Sequence, residues 1–245
     1  MEISIDSLKQ NIVKMGMLAE KAIQLAFDKS AKSSQLYEIE DQINSFHRVN
    51  DDLCLKYMAL KHPMGPDLRF AIACVKINGD LERIGDQAIN IKRALTMVQE
   101  AKFPQIHTMK EEVGRMVKEC LDSFIHRDTK MATSVIHNDR VVNDLQRSVI
   151  KMFLKKGQKE EIELEEGFQV TKIAKCLERI GDLATNISED VIFIVSGSDI
   201  RHNPEIKKTS QIDEKLRLIQ QLPSDQNQKI DMENITKFLK KTTEN

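Results

Sequence analysis

The chain has no tryptophan, and only 4% of its 245 residues are aromatic. That removes the stacking platforms on which single-strand nucleic-acid binders lay successive bases. Five prolines and nine glycines are few for this length. The shortage argues against the many turns of a sandwich or barrel and for long uninterrupted helices. The four cysteines, Cys54, Cys74, Cys120 and Cys176, stand singly. Without CxxC spacing they suggest no zinc or redox motif, and buried thiols acting as small apolar groups are expected. No apolar run reaches the ~18 residues of a membrane span, and no basic-then-apolar leader opens the chain, so the expected location is the cytoplasm. With 37 basic and 38 acidic residues, the net charge is −1. No global field steers this chain toward nucleic acid or an anionic membrane. Phosphate-loop spacing, Gly-x-x-x-x-Gly-Lys-Ser/Thr, is missing, and no Ser/His/Asp set can be picked out, so no enzyme is expected.

What the chain does have is a repeated string. Residues 81–91, Leu-Glu-Arg-Ile-Gly-Asp-Gln-Ala-Ile-Asn-Ile, return 96 positions later as residues 177–187, Leu-Glu-Arg-Ile-Gly-Asp-Leu-Ala-Thr-Asn-Ile, with nine of eleven identical. Such recurrence indicates one structural unit used twice. A second, looser echo sets Glu40 and Asn44 against Asp139 and Asn143 at an offset of 99. Apolar residues at steps of three and four predict six helices, at about 5–30, 33–60, 68–100, 106–126, 130–154 and 162–195. Asp67 is the predicted N-cap of the third, and residues 155–161, polar and containing Gly157, are a predicted turn. The second helix is expected to bury Leu36, Ile39, Ile43, Phe46, Leu53 and Tyr57. The expected fold is all-α: two tandem antiparallel three-helix bundles, residues 1–103 and 104–198, followed by a polar tail, 199–245, of short helices or disorder.

Within each repeated string, three oxygen-bearing side chains fall at i, i+4 and i+8: Glu82, Asp86 and Asn90, then Glu178, Asp182 and Asn186. On a helix they form one stripe. The stripe lies at the edge of the apolar arc, where a carboxylate needs a cation or hydrogen-bond donors. If the preceding helix faces it, Glu40 and Asn44, or Asp139 and Asn143, add oxygen donors, and His47 adds a nitrogen in the first half only. Hard cations and iron suit such a set. The alternative is an internal ion-pair network in which Arg83 and Arg179 neutralise the carboxylates. Gly85 and Gly181, mid-helix between Glu and Asp, suggest close approach of another helix or room above the carboxylates.

A tandem pair of three-helix units, each with Glu-Arg-Ile-Gly-Asp-x-x-x-Asn on its last helix and the first with Asp67-Leu68-Arg69 opening it, resembles the PhoU family over residues 5–197. The resemblance implies a PhoU-like bundle acting as a cytoplasmic, non-enzymatic, often homodimeric regulator. Such proteins repress the phosphate-starvation response when phosphate is plentiful. They are thought to link the ATPase subunit of an ABC phosphate transporter to a PhoR-type sensor kinase, reaching the membrane only through partners. Some members bind iron or zinc at Glu/Asp-x-x-x-Asp motifs. Carried over, these are Glu82/Asp86 and Glu178/Asp182, with Glu40/Asn44 and Asp139/Asn143 facing them. Asn44 and Asn143 stand where several members have Asp, which lowers the negative charge offered to a cation. Alternative readings are a metal-binding helical protein and an accessory subunit of another phosphate permease.

Overall fold

The computed structural model describes residues 3–98, 103–159 and 162–200. The expected tail beyond residue 200 lies outside the described residues. Six helices run in order: α1 (Ile5–Phe27), α2 (Ser33–Lys61), α3 (Pro66–Leu95), α4 (Pro104–His126), α5 (Thr129–Gln158) and α6 (Leu164–Ser196). All six predicted helices are present, and their ends differ for local reasons. α1 stops at Phe27 because Asp28 leaves the helix, its side chain accepting from both the amide and the hydroxyl of Ser30. α3 begins at Pro66, one residue before the predicted cap. Gly65 enters with φ 56, and Pro66 supplies the fixed φ of a first helical position. Asp67 is thus a first-turn residue, favourably placed at the positive end of the helix dipole. α5 continues through the predicted turn as far as Gln158, with Lys155 and Lys156 in the last turn, where cations offset the unpaired carbonyls.

Each repeat is an antiparallel three-helix bundle, α1–α2–α3 and α4–α5–α6, as the short connections require. The six helices form one compact unit. Its most extensive helix–helix packing is between α3 and α6, the two inner helices, with α1 meeting α4 and with α2 and α5 outermost. α3 and α6 run antiparallel: Lys76 reaches Asp190 at 3.4 Å, and Arg69 lies beside Gly197. Lys76 also lies over the Phe193 ring. Phe70 of the first repeat stacks on Phe124 of the second, centroids 5.7 Å apart. Lys9 donates to the Ile125 carbonyl near the end of α4. The core is aliphatic, and Ile77, Leu81, Ile84, Ile91, Leu177, Ile180 and Ile187 are wholly inaccessible. The second helix buries its predicted face except Phe46, which is half-buried, and adds Asn50 and Cys54. All four cysteines are free and buried. Burial pushes the Cys54 thiol up to about 12, so it stays protonated and behaves as a small apolar group.

Among the described residues, no helix is long and apolar enough to cross a membrane.

Two glycines inside helices make opposite predictions. A Cβ at Gly167 would lie 1.9 Å from the Phe153 ring, so α5 and α6 close only because no side chain stands there. Gly79 has open space above it. Gly167→Ala is expected to destabilise by about 1–3 kcal/mol through overpacking. Gly79→Ala is expected to stabilise by up to ~1 kcal/mol through helix propensity. Urea unfolding of the two variants beside the parent checks both signs.

Candidate functional site

The repeated strings lie on the inner helices, which place their apolar residues in the shared core and their acidic stripes along the seam with the outer helix of the same repeat. In the first repeat Glu82 and Asn90 are half-buried and Asp86 is exposed. α2 brings Glu40, Asn44 and His47 to this seam. Burial raises the Glu82 carboxyl above its ordinary range, and the negative charge of Asp86 raises it further. His47 and Arg83 pull it down, and Glu40 pushes it up. Four groups from two helices therefore act on one carboxyl.

The amides have a definite role. Asn44 Nδ2 donates to Glu40 Oε1 at 2.5 Å, and Asn143 Nδ2 donates to Asp139 Oδ2 at 2.7 Å. In both repeats the asparagine offsets the negative charge of its acidic neighbour one turn earlier. His47 turns its Nε2 to Asp51, 3.6 Å away on the same helix. Among the described residues, no group of three His, Cys, Asp or Glu side chains has the geometry to hold a metal ion.

The second repeat is built differently. The Glu178 side chain is only 12% exposed and is gripped by Lys175 Nζ at 2.6 and 2.8 Å. Asp182 and Asn186 are exposed. The position equivalent to Lys175 in the first repeat, 96 residues earlier, is Gly79. Glu178 thus has a lysine one turn earlier on its own helix, whereas Glu82, whose carboxyl is raised chiefly by burial, has a glycine at that position. Arg83 lowers the Glu82 carboxyl as a lesser influence, while its hydrogen bond goes to another carboxylate. Arg83 Nη1 bonds Asp80 Oδ1 at 3.1 Å, on the neighbouring face, because a step of three residues reaches Asp80 directly. Arg179 is exposed.

The glycines also diverge. A Cβ at Gly85 would come 3.0 Å from Ile43 Cδ1, so α2 does approach closely there. At Gly181 the nearest atoms are ordinary contacts: Val142 at 3.6 Å, Met116 at 3.7 Å and Asp139 Oδ1 at 3.8 Å.

Sequence reasoning passed over a buried amide cluster beside the first stripe. Asn78, wholly buried, donates to the His47 carbonyl and to Asp51 Oδ1, both at 2.9 Å, and accepts from Asn50 Nδ2 at 3.0 Å. It pins the stretch of α2 that carries His47. The available signal was Asn50 and Asn78 at apolar-face positions, with Val149 and Ala174 at the equivalents in the other half.

A pseudo-twofold pair of three-helix units, each carrying an acidic stripe on its inner helix, defines a class of tandem-repeat helical proteins. The family model described as the PhoU domain matches residues 12–95 and 106–191. This chain belongs to the PhoU family. It is 32% identical over 208 residues to a phosphate-specific transport system accessory protein PhoU homolog of Pseudomonas aeruginosa, covering 81% of this chain and 86% of that one. The identity to the homolog of Pseudomonas putida is 30%, covering 85% of each. The crystal structure of PhoU from Pseudomonas aeruginosa matches with a TM-score of 0.74 at 30% identity, covering 79% of this chain and 97% of that one. The phosphate transport system regulatory protein PhoU from Streptococcus pneumoniae shares the fold, with a TM-score of 0.73 at 24% identity, over 80% of this chain and 97% of that one.

The Glu82 environment makes a pH prediction. A carboxyl raised in the folded state holds its proton more tightly there than in the unfolded chain. Stability therefore falls as pH climbs from the ordinary carboxylate range through the raised value, and the full penalty is present at neutral pH. Glu82→Gln is expected to melt modestly above the parent at pH 7, with the difference closing below pH ~4. Glu178→Gln, which strands Lys175, is expected to show no such gain. Thermal melts across this range check both.

Proposed function

We propose that this chain regulates phosphate uptake and phosphate-starvation signalling. It acts as a cytoplasmic, non-enzymatic adaptor between an ABC phosphate transporter and a sensor histidine kinase, restraining the response when phosphate is plentiful. The observation that carries this reading is the pair of PhoU domains spanning residues 12–191, in a chain whose relatives are named as accessory proteins of a phosphate-specific transport system. The fold supports an adaptor. Two similar units joined back to back through α3 and α6 present paired outer surfaces. A homodimer would double them.

A second reading is favoured by the first stripe. Glu40, Glu82 and Asp86, with His47, are the side chains that would have to close together to hold a hard divalent cation or iron, since as they stand they form no three-ligand group. Asn90 is at hand on the same stripe. The second repeat fits a cation less well, because Lys175 already occupies Glu178 and would have to be displaced.

The deciding experiment is a deletion strain grown in ample phosphate. Constitutive phosphatase and excess uptake, reversed by the intact gene, are expected. Unchanged output would remove the regulator reading. Complementation with Glu82→Ala plus Glu178→Ala then tests the stripes. Elemental analysis of the full chain purified without chelator is expected to find about one iron or other divalent ion per chain, lost in Glu82→Ala and kept in Glu178→Ala. Metal-free protein that takes up none on addition would sink the metal reading and leave the regulator intact.

A further inference from the structure

The repeat extends to the surface, where no core constraint demands it. Taking α5 at an offset of 99 from α2, and α6 at 96 from α3, three exposed apolar positions recur. Leu55 and Leu154 are 63% and 57% exposed, Leu68 and Leu164 are 36% and 71%, and Ile72 and Phe168 are 37% and 67%. The flanking charges recur as well, and all four side chains are exposed: Lys56 and Lys155 follow the first leucine, Lys56 paired with Asp52 at 2.6 Å, and Asp67 and Glu163 precede the second. The last two turns of α2 and α5 and the first two turns of α3 and α6 thus carry one surface pattern at two hairpin ends, an apolar triad flanked by a lysine and a carboxylate. Burial explains why the inner-helix strings were retained in both halves. It cannot explain these residues, which water surrounds.

The fold sets where the two patches lie. Because α3 and α6 are antiparallel, with Lys76 at Asp190 and Arg69 at Gly197, the two hairpin ends lie at opposite ends of the unit. A helix of the 30 residues of α3 puts them roughly 45 Å apart. The same pseudo-twofold axis that relates the repeats relates the patches.

We infer that the two hairpin ends are a matched pair of docking surfaces for one twofold-symmetric protein partner, whose identical subunits each receive one end. Each subunit would present an apolar recess with an acidic residue facing Lys56 or Lys155 and a basic residue facing Asp67 or Glu163. Charge complementarity at the rim sets orientation, and the apolar triad supplies the buried area. A duplicated surface gains from a duplicated partner: the second end binds at the effective concentration set by the first, so one chain bridges two subunits. This inference rests on the adaptor reading, in which the partner is the paired ATPase subunit of the transporter.

The test uses the full chain and the purified ATPase subunit. The wild-type chain is expected to bind one per ATPase dimer by light scattering. Leu55→Glu and Leu154→Glu are each expected to weaken binding tenfold or more, and together to abolish it, with circular dichroism and thermal midpoints unchanged because both leucines face water. Wild-type affinity in both single variants would overturn the docking surfaces while leaving the adaptor reading in place. An effect from one end alone, or one chain per ATPase subunit, would overturn the twofold arrangement. If the wild-type chain does not bind the ATPase at all, the adaptor reading loses that partner. The double variant is then assayed for phosphatase repression in the deletion strain: full repression overturns the surfaces, and lost repression by a folded protein upholds them for another symmetric partner.

Discussion

The antiparallel packing of α3 on α6 is the contact on which the rest of the molecule depends. A three-helix bundle of about a hundred residues can bury only one face of each helix. The inner helices here carry apolar residues on two sides, and the second side is satisfied only by the other repeat. Ile77, Leu81 and Ile84 on one helix and Leu177, Ile180 and Ile187 on the other are wholly withdrawn from water. Lys76 adds direction to this apolar contact. It reaches Asp190, whose side chain is 3% exposed, and lies over Phe193. A parallel arrangement, or one slid by a turn, would break this pair.

That one contact also orders the functional surfaces. With the inner helices back to back, the acidic stripes turn outward to the seams with α2 and α5, and the hairpin ends turn to opposite poles. The two seams have diverged within a common frame. The first is held by an amide cluster around Asn78 and leaves Glu82 among other carboxylates with a raised proton affinity. The second is neutralised by Lys175 and packs around Gly181 with ordinary contacts. The two copies of the unit thus differ in the surroundings of the same glutamate.

Much of this was legible in the chain. The repeated string at residues 81–91 and 177–187 disclosed two units, and apolar spacing disclosed six helices, because helical periodicity is a local property that each segment carries for itself. Helix ends were less legible. Asp67 has the chemistry of a cap, but Gly65 and Pro66 set the entry first, and Lys155 and Lys156 are polar without being a turn. Spacing placed Glu40, Glu82, Asp86 and His47 as candidates for one seam once α2 was set against α3. The destination of Arg83 did not follow, because its side chain has a carboxylate three residues away on either side, Asp80 and Asp86, and only the folded geometry selects Asp80.

The sequence by itself determined the helices, their grouping in threes and the two acidic stripes, since all of these arise from residues close together in the chain. Only the tertiary structure decided how the two bundles join, where the buried Asn78 finds its partners on α2, and that matching surface leucines lie at opposite poles. Those facts turn on contacts between residues as far apart as Lys76 and Asp190. Such pairs carry no periodic signal: their free energy exists only when the chain has brought both partners out of water together.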